Sequence, residues 1–443
     1  MRVLLAALAS GIMFYLSQGL DDAWALAWFA PAPILWLAYA GAPRRQVLVA
    51  ALAAFAAGQI YLVQCYWGQL PPSILAPLVV VMSGAFAVAV LFSGEALRRG
   101  FVWGALIAFP ALWTALEYFI GTLSPHGTWG ALGYAEASFP AGIQVASLFG
   151  VHAVSFLLCL GANAAALLAR RRWRAGVAGV ALCALALAFG AARLAEMQGP
   201  RVRVAALAQA KASAETYASY IGTLNGARVV AIPEGAIRLQ GTSGRTVLAP
   251  LAQAAKSSGA LVVAGTVVAH PAQNRAFALR PDGSVAIYAK RHLLVPFEPE
   301  TPGHEPGFLG AGYATQICKD MDFPASVRDT AAHGVRLMIV PADDFGRDGW
   351  IHARMAILRG VENGFALLRS AFDGMETISD ARGRILARAP TTRGGMAAIA
   401  ADVPLGPGPT LYTRIGDVFS WLCAALSLLI GARVFAAARR ASP

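Results

Sequence analysis

The sequence predicts a membrane α-helical bundle with a soluble α/β layered domain inserted ahead of its last helix. Three observations carry this reading. Of 443 residues, 57% are hydrophobic and only 14% charged, against roughly 25% charged in an ordinary soluble domain. Eight apolar segments approach the roughly 20 residues that a spanning helix needs. Between the seventh and the eighth, the pattern changes to short β-branched runs separated by Gly, Pro and Asp.

The eight predicted transmembrane helices cover 4–20, 24–40, 47–67, 74–97, 102–120, 145–168, 177–194 and 418–434. Arg44 and Arg45 follow the second, Arg98 and Arg99 the fourth, and Arg170, Arg171, Arg172 and Arg174 the sixth. Arg439 and Arg440 follow the eighth, whereas Asp21 and Asp22 occupy the first loop. This alternation is the positive-inside pattern. It predicts that both termini are cytoplasmic and that the inserted domain lies on the outer side, which is periplasmic in a cell with two membranes. Arg193, Arg201, Arg203 and Arg414 fall on the opposite side, but they border a folded domain that is exported regardless of charge. The formal charge of +12 is therefore topological, and no nucleic acid is expected as a partner. The first apolar segment reads as a retained span, because removing it leaves an odd number of spans and sets the arginine pairs against the charge rule.

Trp24, Trp28, Trp36, Trp67 and Trp103 mostly lie near span ends, as interfacial anchors do. Glu117 sits at the edge of the fifth span, where an ionisable group either serves function or reaches water at the outer interface. His126 and His152 read equally as ordinary interface residues. The expected organisation is a seven-helix membrane domain over 1–197, a soluble catalytic domain over 198–410 and a final transmembrane helix over 415–436.

Within the soluble stretch, 202–207, 228–232, 261–268, 276–279, 285–288, 314–317, 337–340 and 366–369 read as strands. The turn Pro281-Asp282-Gly283-Ser284 joins two of them into a hairpin. Helical patterns cover 244–257, 325–333 and 351–363. Strands and helices in alternation over about 200 residues make a layered α/β domain large enough to bury its own core.

Of the five cysteines, Cys65, Cys159, Cys183 and Cys423 fall inside predicted spans, where a thiol acts as a small apolar side chain. Cys318 alone lies in the soluble stretch. It has no soluble partner for a disulfide, so facing an oxidising compartment it is either hidden or used. Neither a metal nor another cofactor is expected: the histidines are scattered and no Cys-x-x-Cys or His-Glu-x-x-His spacing occurs.

Reactive groups of layered α/β folds collect at strand ends. Glu234 ends the second predicted strand, Lys290 follows the hairpin and Cys318 follows the 314–317 strand. An acid, an amine and a thiol together suit acyl transfer. A carboxylate serves as general base to the thiol, and Lys290 with a backbone amide beside Cys318 meets the oxyanion. Lysine occurs only at Lys211, Lys256, Lys290 and Lys319, so two of the four stand at the proposed site.

At these residues the chain resembles the nitrilase, or carbon-nitrogen hydrolase, superfamily, whose members set a Glu-Lys-Cys triad on an αββα sandwich. With the apolar segments included, it resembles the apolipoprotein N-acyltransferase family over nearly its whole length. The stretches Trp129-Gly130-Ala131-Leu132-Gly133-Tyr134, Gln144 to Val151 and Ser155-Phe156-Leu157 are similar to that family's loop and sixth helix, and Ala111-Leu112-Trp113 through Glu117 to its fifth. Lys290-Arg291-His292-Leu293-Leu294-Val295-Pro296-Phe297-Glu298 resembles the family's Lys-x-His-Leu-Val-Pro-Phe-Gly-Glu motif, which makes Glu298 a supporting carboxylate. His352-Ala353-Arg354-Met355 and Glu362-Asn363-Gly364 resemble a later helix. The chain departs from the family in having Lys319-Asp320 where Tyr-Glu is usual, and Ala342-Asp343-Asp344-Phe345-Gly346 in place of Asn-Asp-Ala-Trp-Phe. Both departures bear on substrate choice.

The resemblance implies a bacterial inner-membrane acyltransferase with a phospholipid acyl donor, a thioester on Cys318 and a lipoprotein amine as acceptor. Asp320 and Glu298 are then expected to hold Lys290 and Glu234 in place, with Lys319 altering the local charge. Two other readings stay open at this point. One is a membrane-bound amidase, in which water replaces the amine; the other is a non-catalytic membrane scaffold that retains the fold.

Overall fold

The computed structural model describes residues 1–197, 199–240, 244–392 and 394–440. The expected domain start at Gln198 lies outside the described residues. The chain divides into a helical unit, Met1–Ala195 with Asp417–Pro443, and an α/β unit, Glu196–Gly416.

Among the described residues of the helical unit, six helices are long and apolar enough to cross a membrane: Arg44–Tyr66, Pro72–Arg98, Val102–Leu123, Val151–Ala169, Trp173–Ala195 and Val418–Arg439. They correspond to the third to eighth predicted segments. The first segment forms a shorter helix of 17 residues, Arg2–Gln18. The second is divided into a 3-10 turn, Trp24–Trp28, and a helix, Ala32–Tyr39. Pro31, at the cap of the latter, accounts for the division, since a proline starts a helix readily but cannot donate within one. Gly150, at φ +78, likewise breaks the sixth segment, so that its long helix begins at Val151.

The helical core is aromatic and tied by a few buried polar groups. Phe14 and Phe55 meet at 5.0 Å between centroids, Phe55 and Phe86 at 5.3 Å, and Phe86 and Trp113 at 6.0 Å. Tyr39 Oη bonds Ser93 Oγ at 2.6 Å and donates to Asn163 Oδ1 at 2.5 Å. Asn163 Nδ2 in turn donates to the carbonyls of Ala105 and Leu106. Glu117 does not reach water: it is 4% exposed, accepts the Leu132 N–H at 2.7 Å and meets His152 Nδ1 at 3.2 Å. Ser155 Oγ accepts the Gly133 N–H at 2.9 Å. The two residues pin the 129–134 segment against the helices, which a hydropathy profile cannot show.

The α/β unit has twelve strands among its described residues. They are β1 (Arg201–Ala208), β2 (Val229–Leu239), β3 (Leu261–Ala269), β4 (Ala272–Leu279), β5 (Val285–Ala289) and β6 (Phe308–Gly310). The rest are β7 (Tyr313–Thr315), β8 (Leu337–Asp343), β9 (Ala366–Phe372), β10 (Met375–Ser379), β11 (Ile385–Pro390) and β12 (Ala397–Pro404). One sheet runs β12-β1-β2-β3-β4-β5 and the other β11-β10-β9-β8-β7-β6. In the first, β1, β2 and β3 are parallel; in the second, β7, β8 and β9 are. The outer strands of both are antiparallel.

The side-chain period of 2 along a strand sorts residues into layers. Val204, Ala206, Val229, Ala231, Val263, Leu337, Ile339 and Leu368 fill the space between the sheets. Their neighbours Ala205, Leu207, Val230, Ile232 and Val262 pack with residues of the helices Ala214–Thr223 and Gly244–Ser258. Met338, Val340 and Leu367 pack with residues of Pro324–Ala331 and Gly349–Asn363. The result is the expected αββα sandwich. The hairpin over 281–284 is present, with β4 antiparallel to β5.

One expectation about β2 is corrected. Glu234 lies inside that strand rather than at its end, at a register shift between Ile232 and Ile237 against β3. Pro233 supplies no N–H to the ladder and Gly235 adopts φ +63, so the chain bulges at Glu234 and then resumes pairing. Gly265 on β3 makes room for the bulge: a Cβ there would stand 2.3 Å from the Pro233 carbonyl oxygen and 2.5 Å from Glu234 Cα. Gly265→Ala should therefore destabilise the protein by about 1–3 kcal/mol, read as a lower thermal midpoint in detergent; an unchanged midpoint would contradict this packing.

Candidate active site

The bulge on β2, the end of β5 and the turn after β7 bring Glu234, Lys290 and Cys318 together. Glu234 and Lys290 are 6% and 3% exposed. Lys290 Nζ donates to Glu234 Oε1 at 2.6 Å and to both oxygens of Glu298 at 2.7 and 2.9 Å. The Lys290 backbone is fixed as well, its N–H donating to the Asn274 carbonyl and its carbonyl accepting from Gly303 N. Glu298 is oriented by the Leu294 N–H at 2.6 Å. Asn274, on β4, bridges the two carboxylates, its Nδ2 donating to Glu234 Oε1 at 2.5 Å and to Glu298 Oε1 at 3.0 Å.

Cys318 opens a 3-10 turn, Cys318–Asp322, with φ +42. A non-glycine residue in the left-handed region is strained, and such strain clusters at functional sites. The half-buried thiol donates to the Asp343 carbonyl at the end of β8 with a sulfur-to-oxygen distance of 3.6 Å.

Asp320, expected to help hold Lys290 and Glu234 in place, is wholly buried, and its hydrogen bonds go to the residues after Lys290 rather than to the Lys290 or Glu234 side chains. Its carboxylate accepts from Tyr288 Oη at 2.7 Å, from the Ile317 N–H at 3.0 Å, from the Arg291 and His292 N–H groups at 3.1 and 2.8 Å, and lies 3.1 Å from His292 Nδ1. It staples the turn carrying Cys318 to the segment that follows Lys290. Lys319 is buried, its ammonium 5.7 Å from the Phe323 ring centroid, and Phe323 stacks on His292 at 3.9 Å.

Burial pushes Glu234 up to about 7, outweighing the opposite pull of Lys290. Burial alone would lower Lys290, but Glu234, Cys318 and Glu298 overcome it and hold the ammonium well above its ordinary value. Glu298 goes the other way: burial opposes its charge, and Lys290 and the Leu294 N–H bring it below the usual value. Burial and Glu234 hold the Cys318 thiol well above a free thiol, against Lys290. The site thus contains a protonated thiol, a permanently charged amine and a carboxyl that titrates near neutrality, which is the range suited to a general base. Burial lowers Lys319.

Several groups at the site had no role assigned from the sequence. Asp344 makes a two-pronged ion pair with Arg369, one contact being 2.9 Å, and both charges are felt at Cys318. Behind the Cys318 turn, His352 stands 3.0 Å from Asp348 and 3.9 Å from Asp322, and the aspartates raise it to about 9 against burial. Asn274 was findable, because it shares the inward face of β4 with Ala276 and Ala278, where a polar side chain needs a partner.

Against known proteins, residues 10–165 match the apolipoprotein N-acyltransferase N-terminal domain and residues 193–406 match the carbon-nitrogen hydrolase family. Between them the two matches make the chain similar to apolipoprotein N-acyltransferases over most of its length. An apolipoprotein N-acyltransferase of Geobacter metallireducens is 28% identical, the alignment covering 98% of this chain and 95% of that one. One of Vibrio cholerae is 26% identical, over 94% and 95%. Among solved structures, Nit3 of Saccharomyces cerevisiae, a member of branch 10 of the nitrilase superfamily, is 20% identical, covers 47% of this chain and 92% of its own, and superposes with a TM-score of 0.40. The two matches agree with the two units: apolar helices in one, the αββα sandwich in the other.

Two outcomes follow for pH. A carboxyl raised to about 7 is an active base only above that value, so acylation of Cys318 should climb between pH 6 and 8 and then level; a flat profile over that interval would contradict it. Asn274→Asp places a third carboxylate against Glu234 and Glu298, which disfavours ionisation of Glu234. The same profile should then shift alkaline by about one unit, and an unmoved midpoint would contradict the bridge.

Proposed function

We propose that this protein moves a fatty acyl group from a phospholipid, through a thioester on Cys318, to the N-terminal amine of a lipoprotein. The observation that carries the reading is Lys290, a buried ammonium held by two carboxylates beside a protonated thiol, in a chain similar to this family. Glu234 takes the proton from Sγ as the sulfur attacks the ester carbonyl. Lys290 and the Lys319 backbone N–H receive the oxyanion. Collapse expels lysophospholipid, whose alkoxide recovers the proton from Glu234. The acceptor amine, after losing one proton to solvent, attacks the thioester; Glu234 takes its second proton and returns it to the departing sulfur. Glu298 and Asn274 keep Lys290 and Glu234 in register, and Asp320 keeps the Cys318 turn in place.

The membrane arrangement belongs to the same proposal. The two shorter apolar segments complete eight crossings, seven within 1–197 and the last within 415–436. Both termini lie in the cytoplasm of a bacterial cell with the catalytic domain, 198–410, on the periplasmic side of the inner membrane. The arginines of alternate loops support this orientation.

The test is a transfer assay in detergent with phospholipid and a lipid-modified peptide bearing a free N-terminal amine. Acyl-peptide is the expected product, and free fatty acid as the main product would favour the amidase instead. Cys318→Ala should abolish turnover, and Glu234→Gln should lower it by about 100- to 10,000-fold. Undiminished activity in Cys318→Ala would sink the mechanism.

A further inference from the structure

The second half-reaction needs a place for its amine, and the nucleophile's immediate surroundings are short of exposed negative charge. An N-terminal amine with a pKa of about 7.7–8.0 is largely an ammonium near neutrality. Around Cys318 the charged groups of either sign are mostly buried: Lys290, Lys319 and Arg369 on one hand, Glu234, Asp320, Asp322 and Asp344 on the other. Asp343 differs, being exposed. It is the last residue of β8, and its carbonyl oxygen is the acceptor 3.6 Å from Cys318 Sγ. Its exposed side chain is thus carried by the residue whose backbone meets the nucleophile. Its charge is also felt by Glu234, which it helps to raise.

We propose that Asp343 is the docking residue for the acceptor's ammonium, setting a preference of the acyl-enzyme for cationic primary amines over neutral nucleophiles. The inference rests on the acyl-transfer reading above. The carboxylate draws the ammonium to the mouth of the site and holds it beside the thioester. The amine then gives one proton to water and attacks the carbonyl carbon; a carbon–nitrogen bond forms, the carbon–sulfur bond breaks, and Glu234 carries the second proton from nitrogen to sulfur. Asp343 stays ionised throughout and forms no covalent bond.

The test uses the full-length protein in detergent, acylated by phospholipid, in the native form and as Asp343→Asn and Asp343→Glu. Loss of the acyl mass is followed at pH 7, where the peptide amine is largely an ammonium and any change in Glu234 ionisation cancels in the ratio, with either a lipid-modified peptide carrying a free N-terminal amine or hydroxylamine, a neutral nucleophile. In Asp343→Asn the peptide-to-hydroxylamine rate ratio should fall by roughly 2- to 5-fold, the scale of one exposed ion pair, through KM for the peptide rather than kcat. Asp343→Glu should recover most of the ratio, and added salt should lower it in the native protein and in Asp343→Glu but not in Asp343→Asn. An unchanged ratio in Asp343→Asn, or equal losses with both nucleophiles, would overturn the inference while leaving acyl transfer standing. Failure of the native protein to acquire an acyl group would instead remove the acyl-transfer reading, and this one with it.

Discussion

The ammonium of Lys290 is the charge on which the site depends. Removing it from water is costly, and only the close carboxylates of Glu234 and Glu298 offset that cost. Each then depends on the other: a buried pair that loses one member is destabilised by about 3–5 kcal/mol. Two carboxylates around one amine do not end up alike. Glu298, also oriented by the Leu294 N–H, stays ionised, while the more deeply buried Glu234 is left with a proton affinity near neutrality. That asymmetry gives one fixed counter-charge and one group able to carry a proton.

The sandwich brings these residues to one place by topology. The bulge at Glu234 occurs where β2 gives way beside Gly265 of β3. The β4–β5 hairpin delivers Asn274 and Lys290 from the same sheet. Cys318 comes from the opposite sheet, after β7, whose parallel neighbour β8 ends in the carbonyl that the thiol meets. Asp320 closes the arrangement across the gap by binding Tyr288 of β5. Cys318, strained into the left-handed region, is thus held by hydrogen bonds on both sides, which suits the proposed role of a nucleophile that keeps its position through both half-reactions.

Local patterns made the layers legible. Period-2 runs of valine and isoleucine marked the central strands, and Pro281 to Ser284 marked the hairpin turn. Strands without such runs escaped: β6 has three residues, β10 carries the charged Glu376, β11 is interrupted by Arg388, and alanine-rich β12 has little β character. Glu234, Lys290 and Cys318 stood out as chemical types at element ends. Glu298 was reached through its motif, but Asn274 and Arg369 were not assigned, because their contacts with Glu234 and Asp344 join residues far apart in sequence, and no local pattern encodes which residues pair. Glu117 shows the same limit in the helical unit. Hydropathy set it at an interface, yet the returning 129–134 segment covers it.

The central claim is that Cys318 carries the acyl group. The most direct measurement is the intact mass of the purified protein after exposure to phospholipid, beside a Cys318→Ala control. The account predicts one fatty-acyl increment on the native chain, absent from the control and removed by hydroxylamine. No increment on folded native protein, or an equal increment on the control, would contradict it.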